Sequence, residues 1–285
     1  MTVDAPAPVA APVIAPGNVA VITGGASGIG LAVAERLIER EMAVLLADID
    51  APKLRSVQAR LTEAGANVTT QVCDTASEAA VAELADVALD RFGAAHLLFN
   101  NAGIAGVGDA WTDSIDLWKR VIDINLYGVV HGIRSFLPIM QQQGVGHIVN
   151  TASMAGLVAL PGAAPYNATK HAVVAISESL FLELGATSDG AAPVGVSVLC
   201  PGFVKTDLMN KEPDIDTTSL AGLIGDALRG GVESGIEASL VADRLVAAVD
   251  GNKFWILTHD DMAQLPVERM QRAASGTNPP AFGQD

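Results

Sequence analysis

A doubly wound α/β domain, its largely parallel sheet covered by helices on both faces, is the fold class this sequence predicts. Short apolar runs alternate with helical patterns from about Asn18 to Ala274 with no break in composition. The runs are almost continuously apolar, as strands buried on both faces must be. A glycine-rich turn stands where the first run gives way to the first helix. Val19 to Thr23 forms the first strand, and Leu31 to Arg40 has helical character. Ala43 to Ala47 is a second run, ending in Asp48. Leu54, Val57 and Leu61 share one helix face, and Val68 to Cys73 gives a third strand. Val81, Leu84, Ala88 and Phe92 mark the next helical stripe, with Gly93 as its stop. Leu97 to Phe99, Ile148 to Thr151, Val196 to Leu199 and Phe254 to Leu257 bring the strands to seven. Long helices are expected over Ser114 to Met140 and Pro165 to Leu184. One domain over 18–274 is the economical reading, with an Ala/Pro-rich flexible tail over 1–17 and a loose carboxy-terminal tail over 275–285.

Composition bounds the function. The chain has 285 residues, 50% of them hydrophobic and 17% charged, with a mean hydropathy of +0.36. Such a chain buries a large core and is not disordered. Lys plus Arg number 17 against 32 Asp plus Glu, a formal charge of −15, which opposes phosphate backbones and anionic membrane surfaces. Neither nucleic acid nor membrane is therefore expected as a partner. Cys73 and Cys200 are the only cysteines, too few for a disulfide scaffold or a cysteine zinc site. The uncharged stretch from Ala5 to Ala34 is broken by Pro6, Pro8, Pro12 and Pro16 and then by glycines, so it cannot span a bilayer. It lacks a basic leader, and a cytoplasmic location is expected. The five histidines are scattered and show no metal-ligand spacing, so no metal is expected.

The turn Thr23-Gly24-Gly25-Ala26-Ser27-Gly28-Ile29-Gly30 lies between the first strand and helix. A pyrophosphate seeks backbone N–H donors and a helix N-terminus, and glycines let it approach closely. A tight strand-to-helix turn alone could also require these glycines. Asp48 adds context, 18 positions after Gly30 at the end of the second strand, where a carboxylate accepts from ribose hydroxyls. It would repel a 2′-phosphate, and Ile49 and Asp50 supply no compensating base, so NAD(H) is preferred over NADP(H). The competing reading makes Asp48 a helix cap, but Asp50, with Pro52 in the first turn, is better placed for that.

Tyr166 and Lys170 are four apart on a predicted helix and share a face, and Ser153 lies thirteen positions before Tyr166, just after a strand. Singly they read as a surface tyrosine, a solvated lysine and a loop serine. Together with the turn, they make the chain resemble the short-chain dehydrogenase/reductase family, in its compact single-domain branch. The match runs through Asp48, Cys73-Asp74, Asn100-Asn101-Ala102-Gly103, Asn125, Ser153, Tyr166-x-x-x-Lys170 and Pro201-Gly202-Phe203-Val204-Lys205-Thr206.

The resemblance implies a Rossmann-type seven-stranded sheet in the order 3-2-1-4-5-6-7. It implies that Gly24, Ser27, Gly28, Ile29 and Gly30 cradle the pyrophosphate, and that Asp74, with Thr75 beside it, meets the adenine. Asn101, Ala102 and Gly103 would line the adenosine ribose side; Pro201, Val204 and Thr206 would hold the nicotinamide end. Tyr166 would be the general acid/base, its pKa lowered by the cationic Lys170 and the positively charged oxidised nicotinamide, with Lys170 also bonding the nicotinamide ribose. Ser153 would donate to the substrate oxygen, and Asn125 would hold a relay water. Asn100 is expected to tie strands together. A homodimer or homotetramer, paired through the two long helices, is likewise implied. Leu157, Val158, Leu160, Ile104, Val107 and the segment Lys205 to Ile236, with Leu208, Met209, Leu220, Leu223 and Ile224, suggest an apolar pocket for a hydrophobic secondary alcohol or ketone. Two other readings stand beside this one: a catalytically silent NAD-binding regulatory protein, and a sugar epimerase or dehydratase. The short carboxy-terminal part argues against the second.

Overall fold

The computed structural model describes residues 12–107, 110–111, 114–186, 193–211 and 220–280. The chain runs β1 (Val19–Thr23), α1 (Gly28–Glu39), β2 (Ala43–Asp48), α2 (Ala51–Glu63), β3 (Val68–Val72), α3 (Glu78–Phe92) and β4 (Leu97–Asn100). It continues through α4 (Ile115–Ile122), α5 (Gly128–Gln143), β5 (Gly146–Thr151), α6 (Ala164–Ala186) and β6 (Val194–Cys200). It ends with α7 (Leu220–Glu233), α8 (Ala238–Asp250), β7 (Trp255–Leu257) and α9 (Leu265–Ser275).

The strands form one seven-stranded sheet in the order β3-β2-β1-β4-β5-β6-β7, and every pairing is parallel. β1 lies between β2 and β4, so the winding reverses there. Such a switch point opens a crevice beyond the carboxyl ends of the strands. The apolar runs resolve into two faces by alternation. Ala20, Ile22, Val44 and Leu46 pack on one side with Val33, Leu37, Val241 and Leu245 of α1 and α8. Val21, Leu45, Leu98 and Ile148 pack on the other with Leu84 and Ala88 of α3 and Phe136 and Met140 of α5. The local signals act as read: Asp50 caps α2 by accepting from the Lys53 N–H at 3.0 Å, and Gly93 ends α3 with φ +76.

Three expectations need adjustment. The amino-terminal tail does not reach residue 17. Val13 and Ile14 are buried in the α1/α8 face of the core, and Asn18 Nδ2 donates to the Pro12 and Val13 carbonyls. Two branched apolar side chains hold this segment in place despite its prolines; residues 1–11 lie outside the described residues. The expected helix over Ser114 to Met140 is interrupted between α4 and α5 by a π-helical turn, Asp123–Tyr127. The carboxy-terminal tail begins one residue later than expected, because α9 runs to Ser275 and Gly276 ends it at φ +71. Residues 187–192 and 212–219, in the Gly/Ala-rich connection and the segment after β6, are outside the described residues, as are 281–285.

Candidate active site

The crevice at the β1/β4 switch is built on missing side chains. Gly24 and Gly28 have φ of +63 and +55, a region where L side chains are strained. A Cβ on Gly24 would lie 2.9 Å from Ala102 Cα, and one on Gly28 would lie 3.0 Å from Thr206 Cγ2. A Cβ on Gly30 would collide with the Gly24 carbonyl. The turn is thus pressed between the loop after β4 and the loop after β6. Ser27 precedes α1 without capping it through its side chain, and the helix has no acidic residue in its first turn. Those N–H groups are suited to an anion. Ile29 is half-buried against the core.

The Asp48 carboxylate stands at the end of β2. One oxygen accepts from the Ala26 N–H at 3.1 Å and the other from the Asp50 N–H at 3.0 Å. Asp48 therefore links the glycine turn to the start of α2 and does not cap that helix. Each oxygen keeps a further lone pair for a hydroxyl donor. Asp74 is exposed at the end of β3, with one oxygen accepting from the Ala76 N–H. Thr75 turns away: it is buried, and its hydroxyl lies against Gly128 of α5.

Asn101 and Ala102 are tied to the turn by Thr23. Its buried Oγ1 accepts from the N–H of both residues, at 3.0 and 3.1 Å, while Asn101 Nδ2 donates to the Thr23 and Gly24 carbonyls. The Asn101 amide is thus committed to holding the turn. Asn100 is a strand tie as expected, donating to Asn150 at 2.9 Å, which in turn donates to Ser177.

The second cluster gathers at the ends of β5 and β6. Ser153 follows β5, and its hydroxyl lies close enough to the Tyr166 phenol to favour the tyrosinate. Lys170, one turn along α6 from Tyr166, is 3% exposed; its Nζ donates to the Thr151 carbonyl at 2.8 Å and lies 5.5 Å from the Tyr166 ring centre. Asn125 sits in the π-helical turn, fully buried, with Oδ1 accepting from the Ile104 N–H at 2.8 Å and Nδ2 donating to the Ile104 carbonyl. A π-turn inside a helix often marks a functional site. Gly103 separates these groups: a Cβ there would stand 3.2 Å from Asn125 Oδ1 and 3.6 Å from Lys170 Nζ. The space between the amide and the ammonium exists because position 103 has no side chain.

Electrostatics here differ from the simple expectation. Burial raises the Tyr166 phenol above its usual value, and the Ser153 hydroxyl opposes that rise. Lys170 is itself pulled down to about 8 by burial. In the protein alone, desolvation outweighs the expected lowering of Tyr166 by Lys170.

The loop after β6 closes the other wall. The Pro201 carbonyl accepts from the Met154 N–H at 2.8 Å and from Ser153 Oγ at 3.4 Å. Val204 is buried in the core and bridged to Ile236, so any contact it makes with a ligand is through its main chain. Thr206 faces Gly28. Of the expected pocket residues, Val107 and Met209 pack together with Ala105, Ile224 is buried, and Leu223 is 61% exposed to solvent. Met209 and Ile224 are buried and are as much packing as lining.

Sequence reasoning missed four contributors: Thr23; Lys53, whose Nζ pairs with Asp207 at 2.9 Å; the Thr151 carbonyl; and His259, which bonds the loop after β6. Thr23 is the first residue of the turn motif and could have been singled out. The others act through main-chain or long-range contacts that no spacing reveals. Both cysteine thiols are pushed up by burial, Cys73 to about 11 and Cys200 to about 12, so neither is primed as a nucleophile.

A parallel sheet with a glycine-lined anion turn at its switch point, beside a Ser–Tyr–Lys cluster, defines a nucleotide-dependent oxidoreductase. The short chain dehydrogenase family model matches residues 18–216, and the chain belongs to the short-chain dehydrogenase/reductase family. It is 38% identical to a 1-deoxy-11-beta-hydroxypentalenate dehydrogenase of Streptomyces avermitilis, over 86% of this chain and 85% of that protein. A dehydrogenase/reductase of CLA biosynthesis from Lactiplantibacillus plantarum is 34% identical over 90% of this chain and 93% of its own. The crystal structure of a family member from Burkholderia phymatum in complex with NAD superposes with a TM-score of 0.90 at 38% identity. That superposition covers 95% of this chain and 99% of the other.

Proposed function

We propose that the protein interconverts a hydrophobic secondary alcohol and its ketone by hydride transfer with NAD(H). The observation that carries the reading is the Ser153–Tyr166–Lys170 contact cluster, set across the crevice from the glycine turn. The cradle fits the dinucleotide: Gly24, Gly28 and Gly30 leave the space a pyrophosphate needs, and the N-terminus of α1 supplies donors. Gly24, Ser27, Gly28, Ile29 and Gly30 would hold the phosphates, Asp48 the adenosine ribose, and Asp74 with the main chain of Thr75 the adenine edge. Asn101, Ala102 and Gly103 would form the wall after β4, and Pro201, Val204 and Thr206 the wall at the nicotinamide end. Asp48 favours NAD(H), because its carboxylate would repel a 2′-phosphate.

NAD(H) supplies the hydride acceptor in oxidation and the donor in reduction. Tyr166 Oη takes the hydroxyl proton in the first case and returns it in the second. Ser153 donates to the substrate oxygen as negative charge develops there. Lys170 brings an ammonium to the tyrosine ring, and Asn125 stands where a water could link Lys170 to solvent. Burial alone disfavours the tyrosinate, so the positive charge of the oxidised nicotinamide has to help to bring Tyr166 into range. The cleft beside the loop after β6, about 280 Å³, has Met209 and Val232 on its apolar side and Lys205, Arg229 and Glu233 around it. Half of its lining is charged, so this cleft suits a polar end of the substrate and offers an apolar body only Met209 and Val232.

We further propose a homodimer or homotetramer in the cytoplasm. Ile115 on α4, Tyr127 and Leu182 on α6 are exposed apolar groups near the two long helices. Among the described residues, no helix is long and apolar enough to cross a membrane.

The test is turnover of a panel of hydrophobic alcohols and ketones with NAD(H) and NADP(H), with Tyr166→Phe alongside. Loss of at least about a thousandfold in kcat with NADH binding retained supports the reading. A Tyr166→Phe protein that turns over like wild type refutes the assigned role, and a preference for NADPH refutes that of Asp48.

A further inference from the structure

We infer that His259 is a positioning residue for the nicotinamide end of the site, acting through the loop Pro201–Thr206. The inference rests on the NAD(H) reading above. His259 lies two residues beyond β7, is buried, and reaches back to the residues that follow β6. Its Nδ1 is 3.1 Å from the Gly202 N–H and 2.8 Å from Thr258 Oγ1; its Nε2 is 3.0 Å from the Phe203 carbonyl.

These partners fix the tautomer. A backbone N–H can only donate, so Nδ1 accepts and carries no proton. A carbonyl can only accept, so the ring proton is on Nε2 and points at Phe203. The Thr258 hydroxyl then donates to Nδ1 as well. One neutral imidazole therefore clamps two consecutive peptide groups. The fit is close: a Cβ on Gly202 would stand 2.9 Å from His259 Nδ1 and Cγ and 2.8 Å from Met262 Sδ.

The clamped peptides sit between the two functional ends of the loop. On one side, the Pro201 carbonyl accepts from Ser153 and the Met154 N–H. On the other, Phe203, Val204 and Lys205 are laced to Ile236, with N–H to carbonyl distances of 3.0 Å at Phe203 and Lys205, and Thr206 faces Gly28. The imidazole thus sets the angle at which the chain leaves Pro201 for the phosphate turn. Its own support is firm, because Arg244 of α8 pairs with Asp260 through both guanidinium amines, at 2.8 and 3.0 Å, and also donates to the Leu257 carbonyl. His259 lies behind the loop and touches no reacting atom in this arrangement. Its effect reaches the cofactor only through residues 202 and 203.

The adenosine end of the crevice is anchored by Asp48 at the end of β2 and Asp74 after β3, away from this clamp, and the glycine turn meets the loop where Gly28 faces Thr206. Comparing NADH with ADP-ribose, which lacks the nicotinamide, therefore separates a positioning role from general damage. The full-length protein and its His259→Phe variant are titrated with both ligands. His259→Phe keeps the ring volume and removes both clamping bonds. NADH binding weaker by at least about tenfold, with ADP-ribose within about twofold of wild type, is the expected result. His259→Asn keeps an acceptor near Gly202 and falls between the two. Equal weakening for both ligands, or unchanged NADH affinity, overturns the inference. Should His259→Phe fail to fold, the ratio of the two affinities in His259→Asn and Thr258→Val decides: a selective loss for NADH supports the clamp, and an unchanged ratio overturns it. A wild-type protein that binds neither ligand would instead refute the nucleotide reading, and the inference with it.

Discussion

Lys170 offers a test in which the sign of a stability change reverses with pH. At neutral pH it is a charged amine buried to 3% exposure, with the Thr151 carbonyl as its hydrogen-bond acceptor at 2.8 Å and the Tyr166 ring nearby. Burial pulls its pKa from 10.5 down to about 8. That gap corresponds to about 3 kcal/mol, the penalty the folded state carries for holding the charge at pH 7. The sign follows from proton counts. Between about pH 8 and 10.5 the unfolded chain binds a proton that the folded chain does not, so stability rises with pH across that window. Lys170→Met keeps the stem and removes the charge, leaving the Thr151 carbonyl without its donor at a cost of about 1 kcal/mol. The variant should be more stable than wild type by about 2 kcal/mol at pH 7, and less stable by about 1 kcal/mol at pH 10.5. Denaturant midpoints of both proteins, taken without cofactor at half-unit pH steps, read this crossing directly. A difference that stays flat from pH 7 to pH 10.5 would refute the claim that Lys170 is desolvated in the folded protein.

His147 gives the acid counterpart: burial lowers its pKa to about 3, so the folded state is progressively disfavoured as pH falls from about 6.5. His147→Gln should lose this dependence, and its denaturant midpoint should approach that of wild type on acidification from pH 7 to pH 4. Gly132→Ala drives a Cβ into the Asn100 amide, which Asn150 holds in place, and should cost about 1–3 kcal/mol, seen as a lower melting temperature. Thr23→Val removes the acceptor shared by the Asn101 and Ala102 N–H groups. It should cost about 2–4 kcal/mol in denaturant unfolding and weaken NADH binding.

The inner strands of the sheet were legible because they are buried on both faces, so apolar runs such as Val19–Thr23 and Ala43–Asp48 stand out against any flanking pattern. Helix ends were legible where a single residue sets them, as Asp50 and Gly93 do. The strand order was not legible from periodicity, since the alternation of runs and helices is the same for many windings; it entered through the motif resemblance. The Ala/Pro-rich start misled because proline content says nothing about whether Val13 and Ile14 find a core surface. In the site, helical spacing put Tyr166 and Lys170 on one face, but it was their combination with Ser153 and the glycine turn, through the family resemblance, that proposed a role for them. Thr75, read together with Asp74, has its side chain buried against α5, which leaves its main chain to meet an adenine. His259 was passed over for the opposite reason: its partners lie 56 and 57 positions away and are backbone groups, which carry no sequence signature.

That last point extends to the whole site. In a parallel sheet the carbonyls just beyond the strand ends have no ladder partner, and they become fixed acceptors aimed into the crevice. Thr151 O receives Lys170, Pro201 O receives Ser153, and Thr23 O receives Asn101. The chemistry-bearing side chains are therefore located by the backbone of the sheet, and the identity of the residue supplying each carbonyl is secondary. Thr151 tests this, because its hydroxyl is a buried group without a hydrogen-bond partner, while its carbonyl holds Lys170. Thr151→Val keeps the carbonyl and the shape and removes an unpaired hydroxyl. It should leave kcat/KM within about twofold of wild type and raise stability by up to about 1–2 kcal/mol, in contrast to the loss at Thr23, where the hydroxyl itself is the acceptor. A drop in turnover of tenfold or more at Thr151→Val, with the fold intact, would mean that the hydroxyl takes part in the site and that backbone placement alone does not position Lys170.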